Sequence, residues 1–249
     1  MGADSILEVR NLEKVFRDRK GPRGRLEEDV AVRGVSFQLE RGECFGLIGE
    51  SGSGKSTTAY MVAGLLKPSS GEILFHGTHM QMVFQDPMKA LNPRRRVLDN
   101  ICEGLLYNRR NGLSKTDIRE RALEAMDLVQ LDRAYAGRFG RELSGGECQR
   151  ATIARAILIH PELLICDEVT SALDVSVQAQ IIMLLGELKK KLGLSYLFIS
   201  HDIALVNDFC DRVAVMYQGK IIEMGTTKDV IGHPKEAYTK ELIQSVLTL

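Results

Sequence analysis

Eight consecutive residues, Gly49-Glu50-Ser51-Gly52-Ser53-Gly54-Lys55-Ser56, constrain this chain more than any other stretch. They match the pattern G-x-x-x-x-G-K-[ST] at every fixed position. An apolar run at 43–49 (ECFGLIG) precedes them and a helical pattern over about 55–66 follows, so a buried strand turns through glycines into a helix start. Glycines at 49, 52 and 54 let backbone N–H groups close around phosphate oxygens with no Cβ in the way. The helix beginning near Lys55 aims its positive dipole end at the same phosphates. In such a loop Lys55 reaches the β- and γ-phosphates and the Ser56 hydroxyl holds Mg²⁺, with Ser51, Ser53 and Thr57 counted among the nucleotide-binding residues. The loop alone specifies a nucleoside triphosphatase or a kinase, and the rest of the chain must choose.

Composition removes several classes. The 249 residues carry 33 Lys+Arg against 33 Asp+Glu, so no net charge draws the chain to nucleic acid or to anionic lipid. A hydrophobic fraction of 44% argues against disorder. No apolar run reaches the roughly 18 residues of a membrane span, and the N-terminus lacks the apolar core of a secretory signal, so a cytoplasmic home is expected. Ile6 stands where a myristoylation site needs Ser or Thr. Five scattered cysteines show neither metal spacing nor a disulfide framework.

Strand patterns occupy 6–10 and 31–39. Between them the run RDRKGPRGR (17–25) reads as a solvated loop, with phosphate or lipid binding as the alternative. Further strands are expected at 72–75 and 81–84. Residues 88–143 then change character. Helical patterns cover 97–107 and 114–130, the second with a start signal in Ser114 and Asp117, so the segment reads as an inserted helical subdomain. Beyond it the pattern alternates: helix 146–159, strand 162–166, helix 176–191, strand 195–199, helix 203–209, strands 212–217 and 220–224, and two short helices in a 226–249 tail. Such alternation predicts a parallel sheet covered on both faces.

Leu163-Leu164-Ile165-Cys166-Asp167-Glu168 is an apolar strand ending in two carboxylates. Beside a phosphate loop, Asp167 is the candidate that helps hold Mg²⁺ through its water shell, and Glu168 the general base that polarises an attacking water. An ordinary strand end with solvated acids is the plain alternative. His201 follows the apolar strand 196–200, at the sheet edge where ligands sit in α/β folds, and is a candidate γ-phosphate sensor.

Leu143-Ser144-Gly145-Gly146-Glu147 supplies a second hydroxyl-and-glycine helix start suited to phosphate. Together these motifs resemble the ATP-binding subunit of an ABC transporter, in that family's order and over nearly the whole chain. The resemblance implies an α/β P-loop NTPase (RecA-like) fold: a mostly parallel sheet core with an antiparallel β region and an inserted α-helical subdomain, residues 1–249 forming one ATP-binding domain. It makes Phe16 the adenine-stacking aromatic, Gln85 the Q-loop glutamine that contacts Mg²⁺ and the catalytic centre, and 143–147 the signature. Ser171-Ala172-Leu173-Asp174 becomes the D-loop, with Asp174 among the nucleotide-binding residues, and His201 the switch histidine. In this family two domains pack head to tail, so Ser144, Gly145 and Gly146 are implied to act on ATP held by a second copy or a homologous subunit.

Gln81-Met82-Val83-Phe84-Gln85-Asp86-Pro87, Leu91-Asn92-Pro93-Arg94, the run 171–180 and the tail His233-Pro234 … Tyr238-Thr239-Lys240 resemble the oligopeptide/dipeptide/nickel importer branch. That branch implies two membrane permease subunits, an extracytoplasmic substrate-binding protein, and a place on the cytoplasmic face of the membrane, with no nucleic-acid partner. Departures are Glu147 for the usual Gln, Val169 for the usual Pro, Phe16 for the commoner Tyr, and a short stretch between Gly71 and Gln85. No cysteine-rich extension follows the tail, so no iron–sulfur cluster is expected. The expectation is an ATPase that drives import of peptides or of nickel or another metal chelate. The alternative is a non-transport ABC ATPase of the carbon–phosphorus lyase type. DNA-repair or ribosome ABC proteins lack support, having coiled coils, zinc cysteines or a basic surface, and a small-molecule kinase would have no use for the signature and D-loop.

Overall fold

The computed structural model describes residues 5–20, 25–107 and 112–247. Along the chain run β1 (Ser5–Lys20), β2 (Arg25–Glu40), β3 (Cys44–Ile48), α1 (Lys55–Val62), β4 (Ser70–Phe75), β5 (Met80–Val83), α2 (Pro87–Ala90), α3 (Val97–Tyr107) and α4 (Lys115–Leu128). Two 3₁₀ turns, Arg133–Gly137 and Gly140–Glu142, lead to α5 (Gly145–Ile157), β6 (Leu163–Asp167), α6 (Val175–Leu192), β7 (Ser195–Ile199), α7 (Ile203–Phe209), β8 (Arg212–Tyr217), β9 (Lys220–Thr226), α8 (Thr227–Gly232) and α9 (Ala237–Leu247). The chain forms two compact units, residues 1–77 with 195–249, and residues 78–194.

In the first unit β3 lies between β7 and β8, parallel to both, and β9 pairs antiparallel with β8. Every residue of β3 and β7 is buried, which is why both read as unbroken apolar runs rather than alternating ones. Gly46 is small because a Cβ there would lie 3.1 Å from Cys210 Sγ and Val206 Cγ1. Phe45 also stacks on Phe37 of β2, with ring centroids 5.1 Å apart.

β1 is the centre of a separate antiparallel sheet, with β2 on one side and β4 on the other. Its alternation buries Leu7 and Val9, and a register shift after Val9 carries Leu12 into the same core. At that shift Asn11 takes a left-handed backbone (φ 46°), and Gly71 of β4 comes so close that a Cβ would lie 2.3 Å from Asn11 O. The sheet corrects one expectation. The basic run at 17–25 is not a loop throughout, because β1 continues to Lys20 and β2 resumes at Arg25, while 21–24 lie outside the described residues. Strand pairing overrides composition there: Arg17 faces Glu28, and its Nε donates to Glu28 Oε1 at 2.9 Å. The helix expected over 55–66 stops at Val62, because Gly64 turns left-handed (φ 72°).

In the second unit β5 pairs parallel with β6, and α3 packs on α4 and α5. Ser114 caps α4 as its spacing predicts: its hydroxyl accepts the Asp117 N–H at 3.1 Å, and the Asp117 carboxylate accepts the Ser114 N–H at 3.0 Å. The turn at 92–96 is tied to α3 by Asn100, which is fully buried. Its Oδ1 accepts the Asn92 N–H at 2.8 Å, and its Nδ2 lies 3.1 Å from both Asn92 O and Arg96 O and 3.3 Å from Arg95 O. No described helix is long and apolar enough to cross a membrane.

Asn100→Ala strands these backbone groups in the interior. The expected loss is about 2–4 kcal/mol. It is read as a lower urea midpoint with an unchanged slope; a wild-type midpoint would show that the knot contributes nothing.

Candidate nucleotide site

The phosphate loop begins where β3 ends. Gly49, Gly52 and Gly54 have φ of 146°, 80° and 103°, a backbone that side chains disfavour. Space adds a second reason at two of them. A Cβ on Gly49 would lie 2.2 Å from Met216 O, and one on Gly54 2.5 Å from Ala31 O. Neighbouring strands thus pin the loop on both sides, and the Gly219 N–H adds a hydrogen bond of 3.0 Å to Ser53 O. Lys55 is 4% exposed, and its Nζ donates to Gly49 O at 2.7 Å and Glu50 O at 2.8 Å. Ser53 Oγ is 3.4 Å away. A buried ammonium needs oxygen acceptors, and an anionic oxygen is a stronger one than a carbonyl. Gly54 occupies the N-cap of α1, so no side chain caps the helix start that carries Ser56 and Thr57. In the same unit Phe16 stands on β1, 41% exposed, with Lys14 Nζ 5.1 Å from its ring centroid. His201 is exposed just past β7, beside Ser200, whose Oγ accepts the Asp202 N–H at 3.0 Å.

In the second unit Asp167, Glu168 and Gln85 lie around the end of β6. Asp167 closes the strand at 2% exposure. Glu168 follows with φ 48°, a left-handed backbone that costs a non-glycine residue about 1–3 kcal/mol and is characteristic of working sites. Gln85 Nε2 donates to Glu168 Oε2 at 2.7 Å and lies 3.4 Å from Ser171 Oγ. Ser171 Oγ in turn donates to Glu168 O at 3.0 Å. In the sequence Gln85 and Glu168 belong to separate motifs. Their direct contact, and Ser171 as the brace beneath it, appear only in three dimensions, although Ser171 belongs to the run already singled out.

Hard oxygen donors suit Mg²⁺, which takes one or two carboxylates and fills its other positions with water and phosphate. Within the second unit Asp167 carries a carboxylate and Gln85, its nitrogen engaged by Glu168, an amide oxygen; in the first unit Ser56 carries a hydroxyl. Among the described residues no three His, Cys, Asp or Glu gather as a metal site.

Ser144 is the N-cap of α5. Its hydroxyl accepts the Glu147 N–H at 3.3 Å, and the Glu147 carboxylate accepts the Ser144 N–H at 2.7 Å. Packing alone favours glycine at 145 and 146: added Cβ atoms would lie 3.3 Å from Leu173 Cδ2 and 2.8 Å from Val177 Cγ1. Asp174 caps α6 by position, exposed and without a side-chain cap bond. Glu147 also takes a hydrogen bond from Tyr135. Burial, the largest influence on its acidity, pushes it up; the Tyr135 and Ser144 hydrogen bonds and nearby Arg138 outweigh that and hold it below the ordinary carboxylate value. The same bond raises the Tyr135 phenol. No sequence signal links Tyr135 to Glu147.

A groove of about 640 Å³ opens elsewhere in this unit, among Met82, Phe84, Leu105, Arg121, Arg155 and Ile159. It adjoins Gln85 in sequence through Phe84 but includes no residue of the phosphate loop.

Fold and site together define an α/β P-loop ATPase. The family model described as ABC transporter matches residues 32–171. An oligopeptide transport ATP-binding protein, AppF of Bacillus subtilis, is 43% identical over 260 residues, covering 98% of this chain and 78% of its own. Among solved structures, cbiO1 from Clostridium perfringens, part of the ABC transporter complex cbiONQ, superposes with a TM-score of 0.78 at 30% identity, covering 98% of this chain and 95% of that one. The dimeric ATP-binding cassette MJ0796, bound to ADP and Pi in a post-hydrolysis state, superposes with a TM-score of 0.76 at 27% identity, covering 89% of this chain and 98% of that one. The chain belongs to the ABC transporter family and is one of its ATP-hydrolysing cassettes.

Because the folded value of Glu147 is depressed, its contribution is complete above the ordinary carboxylate range and is lost as pH falls through the lower folded value. Wild type should therefore melt higher than Glu147→Gln at neutral pH, with the gap closing below about pH 4. A gap independent of pH would remove the charge of Glu147 from the cap.

Proposed function

We propose that this cassette powers an importer of oligopeptides from the cytoplasmic face of a membrane, as one of two ATPase subunits bound to two permease subunits. An extracytoplasmic protein delivers the cargo. Similarity to an oligopeptide transport ATP-binding protein along nearly the whole chain supports peptide over nickel or another chelate. A dimeric relative supports pairing of cassettes.

The observation that carries the mechanism is the 2.7 Å hydrogen bond from Gln85 to Glu168. It joins the proposed general base to the residue that leads into the helical segment 88–143. Lys55 leaves its carbonyl partners for the β- and γ-phosphates, and the glycine loop N–H groups and the start of α1 take the remaining phosphate oxygens. Phe16 offers a ring face to adenine. Ser144, Gly145, Gly146 and Asp174 serve the nucleotide of the partner cassette. Ser56, Gln85 and Asp167 would hold Mg²⁺, which would supply charge neutralisation at the phosphates. Glu168 orients and deprotonates the attacking water, and His201 senses the γ-phosphate. Gln85 reports the state of Glu168 to the groove that Phe84 lines, which is the proposed seat of a short cytoplasmic helix of the permease. Transport is driven because the closed dimer binds ATP more tightly than the open one.

Glu168→Gln is expected to bind ATP as wild type does while turnover falls about 10²- to 10⁴-fold, the scale of lost general-base catalysis. Near-normal turnover would take Glu168 out of the role. Affinity purification from detergent-solubilised membranes should recover a permease pair. Recovery of soluble enzymes in its place would overturn the importer reading in favour of an ATPase attached to an enzyme complex.

A further inference from the structure

Tyr238, in the tail helix α9, belongs to a motif that the roles above leave unused. Its hydroxyl oxygen accepts the backbone N–H of Glu50 at 3.1 Å. That N–H belongs to the Gly49–Glu50 peptide, whose carbonyl, Gly49 O, receives Lys55 Nζ at 2.7 Å. One peptide unit is thus gripped at both edges, by the tail helix on one and by the phosphate-loop lysine on the other. A peptide is planar and turns as a whole. Turning this one away from Lys55 therefore breaks the bond to Tyr238.

The tail is itself firmly seated. Glu223 of β9 accepts the N–H groups of Lys235 and Glu236 at 2.9 and 3.2 Å, just before α9. Thr239 is fully buried and Ile243 nearly so. The Tyr238 ring packs on Tyr217 at 4.2 Å between centroids. Tyr217 directly follows Met216, whose carbonyl closes on Gly49. The same stretch of β8 thus supports the loop from below and Tyr238 from the side.

We propose that Tyr238 is a positioning residue for the phosphate loop: it sets the Gly49–Glu50 peptide, and through it Lys55, so that nucleotide affinity depends on the docked C-terminal helix. The inference rests on the loop being the nucleotide site. Burial, the main influence on the Tyr238 phenol, pushes its pKa up, so the hydroxyl stays protonated through neutral pH.

Tyr238→Phe keeps the ring pair and removes the acceptor oxygen. Affinity for a non-hydrolysable ATP analogue with Mg²⁺ should weaken about three- to tenfold, the range for one neutral hydrogen bond. KM for ATP should rise by the same factor with kcat within about twofold. Tyr217→Phe removes a hydroxyl that meets Gln218, and should change neither. The Glu50 amide should exchange slowly with solvent in wild type, although Glu50 is exposed, and faster in Tyr238→Phe. Wild-type affinity in Tyr238→Phe, an equal loss in Tyr217→Phe, or an unprotected Glu50 amide in wild type would each overturn the proposal. Wild type failing to bind the analogue would instead bring down the reading of the loop itself.

Discussion

A buried lysine held by its own backbone carbonyls organises the first unit. Lys55 is nearly inaccessible, and a bare ammonium in that position is costly unless oxygens surround it. The carbonyls of Gly49 and Glu50 meet that need only because the loop bends back over the side chain, through glycines with positive φ. The bend is feasible because Gly49 and Gly54 can press against Met216 O and Ala31 O without a Cβ. The neighbouring strands thus form the mould in which the loop is cast. Phosphate oxygens are stronger partners for an ammonium than carbonyls, and the proposed role of Lys55 in nucleotide binding draws on that difference.

In the second unit Glu168 is one of three described non-glycine residues with a left-handed backbone, with Gln130 and His160. Glu168 is secured by Gln85 from one direction and Ser171 from another. A carboxylate so constrained has few alternative positions, as a general base requires. The signature helix follows a different logic. Glu147, which departs from the usual glutamine, closes a capping box with Ser144 and takes a bond from Tyr135. Its charge favours the positive end of α5. The departure is therefore accommodated within the chain's own helix start.

Most elements were legible because their signals are local. The burial of β3 and β7 appears as unbroken apolar runs, and the start of α4 as Ser114 and Asp117 three residues apart. The long hairpin was not. Residues 17–20 and 25 have the composition of a loop, and only pairing with an opposite strand, Arg17 facing Glu28 among others, makes them strand. Within the candidate site, the residue types came from motifs, while their contacts did not. The bond between Gln85 and Glu168 spans 83 positions, and that between Glu50 and Tyr238 spans 188. No periodicity links residues so far apart.

The sequence by itself determined the family, the phosphate loop, the paired carboxylates at a strand end and the signature helix start. Each is a short pattern whose chemistry depends on neighbours along the chain. Tertiary structure decided which atoms satisfy one another: that Gly49 must lack a side chain because of Met216 O, that Gln85 holds Glu168, and that a tail tyrosine grips the loop around Lys55. The physical reason is that buried polar groups must find partners wherever the fold brings them. That pairing is set by packing of distant segments, which local composition does not encode.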